Sequence, residues 1–178
     1  MGLFVIMEKM DYQNYIKKFV LPNDFKAPDE LTHEDLVARP LSRADLKADL
    51  DAVNSSIETI QKTRGGLWPE ELLNEEFDFL DLAWHEREFR ESSSFAYVVY
   101  VLNRSYIGCL YLYPMGHRTT ITKDLLKYDA DASWWVTTSA YEDGYYKKLY
   151  AAIQIWIKQF PFKDVYYSNK EIPSSTSA

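Results

Sequence analysis

Residues 133–167 constrain the fold more than any other stretch, because they read as strand, helix, strand. Ser133–Thr138, with Trp134, Trp135 and Val136 at its centre, has the aromatic and β-branched character of a buried strand. Tyr146, Leu149, Ile153, Trp156, Ile157 and Phe160 then form one apolar stripe at helical spacing, predicting a helix from about Glu142 to Gln159 that Pro161 stops. Val165–Tyr167 reads as a short strand beyond it. Two strands joined by a helix of this length pair in parallel through a right-handed crossover.

The segments upstream add antiparallel structure. Phe95–Leu102 and Tyr106–Tyr113 are rich in Tyr and Val and flank Asn103-Arg104-Ser105, which predicts a hairpin. Leu36–Leu41 reads as a strand ended by Pro40. Ser42 and Asp45 have capping-box spacing, with Leu46, Leu50 and Val53 following on one helical face before Gly65-Gly66 interrupts the chain. A second helix is expected from Pro69, placed for a first turn with Glu70 and Glu71, its apolar face being Leu73, Phe77, Leu80 and Trp84. Its other face, with Glu75, Glu76, Asp81, Glu86 and Arg87, reads as solvated. The segment from Gly116 to Asp131 reads as a loop. The expectation is an α/β (α+β) chain with a mixed, mostly antiparallel sheet and helices on both faces. Residues 1–30 form an irregular arm, 31–172 one domain and 173–178 a polar tail.

Charge narrows the partners. The 178 residues include 20 Lys and Arg against 27 Asp and Glu, a net charge of −7. An acidic chain gains nothing from displacing phosphate counterions, which argues against nucleic acid and against anionic membrane surfaces, while amines remain compatible. The single Cys109 rules out an internal disulfide and suits a reducing, cytoplasmic setting. It lies inside an apolar strand and reads as an inert core thiol. Met1–Met7 lacks the basic lead of a signal peptide, and no apolar run reaches the length of a membrane helix.

Most catalytic chemistry finds no motif. His33, His85 and His117 have no metal-ligand spacing, and neither a nucleophile elbow nor a phosphate-binding glycine motif occurs. One feature remains: Thr137 to Gly144 leads a strand directly into a long helix, whose N-terminal N–H groups can hold a phosphate. Glu142 and Asp143 serve equally well there as ordinary first-turn acids. Trp134-Trp135 and the Tyr141, Tyr145, Tyr146 cluster read as core, or as an apolar groove or homodimer seam, with at least one of the two Trp in the core.

At this point the chain resembles the GCN5-related N-acetyltransferases (GNAT). The resemblance covers about residues 20–172 and is carried by several stretches. They are Leu80-Asp81-Leu82-Ala83-Trp84-His85, Ser94-Phe95-Ala96-Tyr97, Ile107-Gly108-Cys109-Leu110-Tyr111, the Trp135-Val136 strand, Leu149-Tyr150-Ala151-Ala152, and Trp156-Ile157 with Pro161-Phe162. The match is to a bacterial subset with an altered phosphate loop and a shortened C-terminus. It implies acetyl-CoA as co-substrate and direct transfer to an amine acceptor, with no metal. Val136, Thr137 and Thr138 match the strand whose backbone pairs with pantetheine, and backbone N–H groups near Val136 would polarise the thioester carbonyl. Gly144, Tyr145 and Tyr146 match the pyrophosphate loop, with Gly144 at its first Gly and Tyr146 where the family has Gly or Ala. No Arg or Gln leads that loop. A Tyr at that position narrows the approach of phosphate to the backbone. Asp131 matches the acid that serves as general base. The alternative reading is a GNAT-like module that binds a small ligand or a protein partner without transfer.

Overall fold

Alternation along the central strands sorts their side chains to two sides of one sheet. The computed structural model describes residues 17–102 and 105–174. Its six strands lie side by side in chain order: β1 (Leu31–His33), β2 (Leu36–Pro40), β3 (Phe95–Val101), β4 (Tyr106–Pro114), β5 (Ala130–Val136) and β6 (Val165–Tyr167). All neighbours are antiparallel except β5 and β6, which are parallel, as the crossover at 133–167 requires. The mixed, mostly antiparallel sheet of the sequence reading is therefore present.

One side is apolar. Phe95, Tyr97, Leu110, Leu112, Trp134 and Val136 meet Leu149, Ile153, Trp156 and Phe160 of the crossover helix and the turn after it. The other side carries Ala96, Val98, Cys109, Tyr111, Tyr113 and Trp135, and is covered by α1 (Leu46–Asn54), α2 (Ile57–Thr63) and α3 (Glu75–Arg90). A bulge sets Val99 and Tyr100 on one strand against Gly108 and Tyr106 on the other, with Ile107 the extra residue, and switches the alternation, so that Ile107 faces the first side and Cys109 the second. Gly108 is required there. Its φ is +152°, and a Cβ would sit 2.0 Å from the Trp135 carbonyl oxygen.

Residues 17–30 form no helix or strand, yet Phe19, Leu21, Phe25 and Ala27 pack on the apolar side, Phe19 stacking on Phe95 at 5.4 Å. The first sixteen residues of the expected arm, with the Met1–Met7 stretch, and the end of the tail at 175–178 lie outside the described residues. No helix among the described residues is long and apolar enough to cross a membrane.

Several expectations change. Strand β5 runs Ala130–Val136, so Ala130 and Asp131 leave the expected loop, while Thr137 and Thr138 leave the expected strand for the cap and first turn of a helix. The helix predicted from Pro69 starts at Glu75, capped by the Asn74 side chain on the Phe77 N–H at 2.9 Å. Upstream of it the backbone is committed elsewhere: the Asn54 amide brackets Leu73 through its N–H and carbonyl, and Gln61 donates to Pro69 O. That helix is also rotated. Phe77, Leu80 and Trp84 are 52%, 54% and 56% exposed, whereas Asp78, Leu82 and His85 are buried. The sheet beneath presents Tyr106, Cys109 and Tyr111 along with Asp49 of α1, so a polar stripe of α3 finds partners there. Finally, the crossover helix is two: α4 (Thr138–Glu142) and α5 (Tyr145–Trp156), separated by Gly144 at φ 83°.

Candidate functional site

The crossover leaves a divergence between its two strands. Ala130, Ala132 and the residue between them pair with Val165–Tyr167, after which β5 continues to Val136 with only β4 beside it. Ser168 N–H still donates to Ala132 O at 3.0 Å. Beyond that rung the Asn169 side chain replaces a backbone partner. Its Oδ1 accepts the Trp134 N–H at 3.1 Å and its Nδ2 donates to Trp134 O at 2.8 Å. A side-chain amide between two backbones holds them further apart than a direct rung does, so β6 is pushed off the end of β5.

Four of the six residues matched to the cofactor, Thr137, Thr138, Gly144 and Tyr145, lie at or near the surface of this end, and Val136 and Tyr146 do not. Val136 closes β5 and is buried. Thr137 donates its N–H to Ile107 O at 2.8 Å and caps α4, its hydroxyl accepting the Ala140 N–H at 3.3 Å. Thr138 donates its N–H to Ser56 Oγ at 3.0 Å, and its hydroxyl meets that of Thr59 at 2.8 Å, so the start of α4 is fastened to α2. Gly144 supplies the left-handed turn into α5, with open space where a Cβ would be. Tyr145 donates its hydroxyl to Asp35 Oδ2 at 2.9 Å.

Tyr146 turns inward instead. It is 3% exposed, stacks on Trp134 at 5.4 Å, receives the Asn169 amide at 2.7 Å and donates to Glu171 O at 2.6 Å. Its ring props the divergence from within and does not stand over the helix end, so the narrowed approach expected from a Tyr in the loop does not arise. The N-terminus of α5 carries no side-chain cap. An uncapped helix end behind a positive-φ glycine can hold an anion. Exposed Glu142 and Asp143 are the opposing electrostatic term.

On the other side of the sheet a cavity of about 660 Å³ opens between the end of α2, α3, β4 and the segment after β6. Its lining includes Arg64, Trp68, Asp81, His85, Tyr111 and Arg118. Arg64 lies 4.5 Å over the Tyr111 ring and 5.2 Å over Trp68. Arg118 donates to Ser168 Oγ at 2.7 Å and to the carbonyls of Ser168, Arg64 and Gly65. Burial, then the nearby Arg64 charge, lowers the Arg118 pKa from its usual value.

Asp131 lies on this same side, between Tyr113 and Tyr166 in the sheet register. It is fully buried, and neither carboxylate oxygen has a hydrogen-bond partner among the described residues. It sits below the cavity rather than in its lining, within electrostatic range of Arg118. Both Trp of the pair are core, on opposite sides: Trp134 against α5, and Trp135 against Tyr111, to whose hydroxyl it donates at 3.2 Å. Cys109 is buried, and burial followed by the Asp49 charge raises its thiol pKa well above the usual value.

The cavity's Arg64, Arg118 and His85 were not singled out for a site by sequence reasoning. The available signal was Arg64 immediately before Gly65-Gly66, a cation at the end of a helix and the start of a tight turn.

This architecture is the GNAT fold: an α+β domain whose mixed sheet splays where a helix crosses from one strand to the next. No family model matches the chain, and no curated protein matches it. Several solved structures do. A RimL ribosomal L7/L12 α-N-protein acetyltransferase in complex with coenzyme A superposes with a TM-score of 0.54 and 16% identity, over 75% of this chain and 68% of that one. A putative ribosomal-protein-serine acetyltransferase from Vibrio cholerae gives 0.54 and 10%, over 76% and 70%. A spermidine N-acetyltransferase SpeG chimera from Vibrio cholerae and hSSAT gives 0.52 and 15%, over 75% and 70%. At these identities the likeness is one of fold.

Proposed function

We propose that this protein is an N-acetyltransferase that passes an acetyl group from acetyl-CoA directly to a small amine. The observation that carries the reading is the divergence of β5 from β6 past Ala132, followed by the uncapped start of α5. The similar RimL structure contains coenzyme A, which supports the same choice of co-substrate. Bound acetyl-CoA would supply a reactive thioester, held by the backbone of Val136, Thr137 and Thr138 and by the helix end at Gly144 and Tyr145.

The chain's own residues then have separate tasks. The cavity bounded by Arg64, Trp68 and Tyr111 takes the acceptor. Asp131, whose carboxylate has no hydrogen-bonded partner, is the proton acceptor, reached through water because the side chain lies beneath the lining. Direct transfer suits a chain whose one thiol is buried and held protonated. A binding module without transfer is the second reading. It is favoured by the tie of the Thr138 N–H to Ser56 and by the exposed acids Glu142 and Asp143.

Calorimetric titration with acetyl-CoA, CoA and desulfo-CoA separates the two. Acetyl-CoA is expected to bind and, at a hundredfold excess over Kd, to add about 2.7 kcal/mol of stability. Asp131→Asn should then lower kcat about 10²- to 10⁴-fold while leaving CoA affinity unchanged. No binding at millimolar acetyl-CoA would leave the module reading, and an unchanged kcat in Asp131→Asn would remove the base from Asp131.

A further inference from the structure

The cavity that takes the acceptor in the reading above is short of an anion. Arg64 is 9% exposed, and its polar contacts are two bonds of 3.4 Å from Nε and Nη2 that both end on the Ser133 hydroxyl. Its guanidinium is otherwise packed between the rings of Trp68 and Tyr111. Arg118 is bonded to carbonyls and a hydroxyl only. Among the described residues neither guanidinium forms an ion pair, although Arg39, Arg43 and Arg87 all do. Lys170 adds a further cation to the lining. A guanidinium taken out of water without a counter-charge is unfavourable unless something supplies one.

The acids do not fill that role. Asp81 lines the cavity but interacts with His85, its Oδ2 lying 3.5 Å from Nε2, and Asp131 is buried outside the lining. Their charge disfavours a phosphate dianion in the same space and tolerates a single carboxylate. A planar guanidinium fork, fixed between aromatic faces, is the group that recognises a carboxylate through two parallel bonds. The volume of about 660 Å³ accommodates such a molecule with a sizeable side chain.

We infer that the acceptor is a small amine that also carries a carboxylate, an amino acid or close derivative, with the carboxylate on Arg64 and the amine end toward Asp81. The inference rests on the acetyltransferase reading only for the amine. The carboxylate follows from the cavity itself.

Matched pairs test it in the full chain, without acetyl-CoA: L-phenylalanine against phenethylamine, L-tryptophan against tryptamine, and L-lysine against cadaverine, each titrated by calorimetry. At least one amino acid should bind about tenfold to a hundredfold tighter than its decarboxylated partner, the range of a charge-assisted hydrogen-bonded contact. Arg64→Gln should abolish that preference, with the fold checked by circular dichroism and melting temperature. Arg64→Lys, which keeps the charge but loses the fork, should retain only part of it and serves where the Gln variant does not fold. The inference is overturned if the plain amines bind as tightly, if no member of any pair binds, or if the preference survives in a folded Arg64 variant. An amino acid that binds but is never acetylated would uphold the carboxylate site and remove the transfer reading. Acetylation of plain amines alone would do the reverse.

Discussion

The two sides of the sheet are built from the same three strands and differ in almost everything else. On the α5 side lie Trp134, Leu149, Ile153, Trp156 and Phe160, a filled apolar layer in which, among the described residues, the buried polar groups without partners are the indole N–H groups of Trp134 and Trp156. On the opposite side lie Asp49, Asp78, His85, Tyr106, Cys109 and Asp131, with unpartnered atoms on Asp78, His85 and Asp131. The first side is what folding favours. The second holds charges and hydrogen-bonding groups whose burial is unfavourable without partners.

The contrast can be broken most forcefully on the apolar side. Trp134→Ala removes a fully buried indole that stacks on Tyr146 at 5.4 Å and on Tyr150 at 5.0 Å. It should cost about 3–5 kcal/mol in urea unfolding. A loss under about 1 kcal/mol would show that this layer is not what holds the domain together.

On the polar side the expected sign reverses. Asp78 is pushed up to about 7 by burial and by the neighbouring Asp49, with Asp81 acting in the same direction. An acid whose pKa is raised in the folded state is most stabilising when protonated. That contribution is complete below the ordinary value near 3.8 and is lost as pH rises through about 7. Asp78→Asn keeps the position neutral while still offering Asp49 a donor. It should therefore match the wild type near pH 4 and exceed it at pH 8, by on the order of 1–2 kcal/mol. Parallel stability–pH curves for the two proteins would refute the assignment.

Tyr146 lies where the two sides and the divergence meet. Tyr146→Phe keeps the ring on Trp134 and removes the hydroxyl that joins Asn169 to Glu171. A stability loss of about 1 kcal/mol with unchanged CoA affinity is expected. Weakened CoA binding with unchanged stability would return Tyr146 to the phosphate loop, where the family resemblance implies it.

What was legible in the sequence follows the range of the interactions concerned. The hairpin of β3 and β4, β5 with its two Trp, the stripe of α5 and the stop at Pro161 are local patterns, and each is present. Strand β1 is three residues long and exists because Leu31 and His33 find partners across Ala38 and Leu36. Nothing in Leu31-Thr32-His33 announces it. Asp131 and Ala132 extend β5 toward its start with residues of low strand preference, held by β4 and β6 on either side. The cavity was illegible for the same reason: Arg64 and Arg118 are 54 positions apart and meet only because Arg118 donates to the Arg64 carbonyl at 3.2 Å. Asp131 could be nominated through family resemblance, whereas its burial is a property of the packed sheet.

Helix α3 is the sharpest case, since its apolar periodicity is real and points outward. Phe77, Leu80 and Trp84 recur at helical spacing, yet more than half of each remains exposed. Arg87 lies over the Trp84 ring at 5.1 Å. Meanwhile Asp78 turns inward beside Asp49, and His85 packs its ring 5.3 Å from that of Tyr111. A periodic apolar face identifies a helix without identifying which of its faces the rest of the chain can use. Trp84→Ser should then change stability by no more than about 0.5 kcal/mol, the smallest effect expected here and the ordinary result for a surface position. A loss of several kcal/mol would mean that the apolar stripe of α3 is buried after all, and that the polar side of the sheet is closed by a different face of this helix.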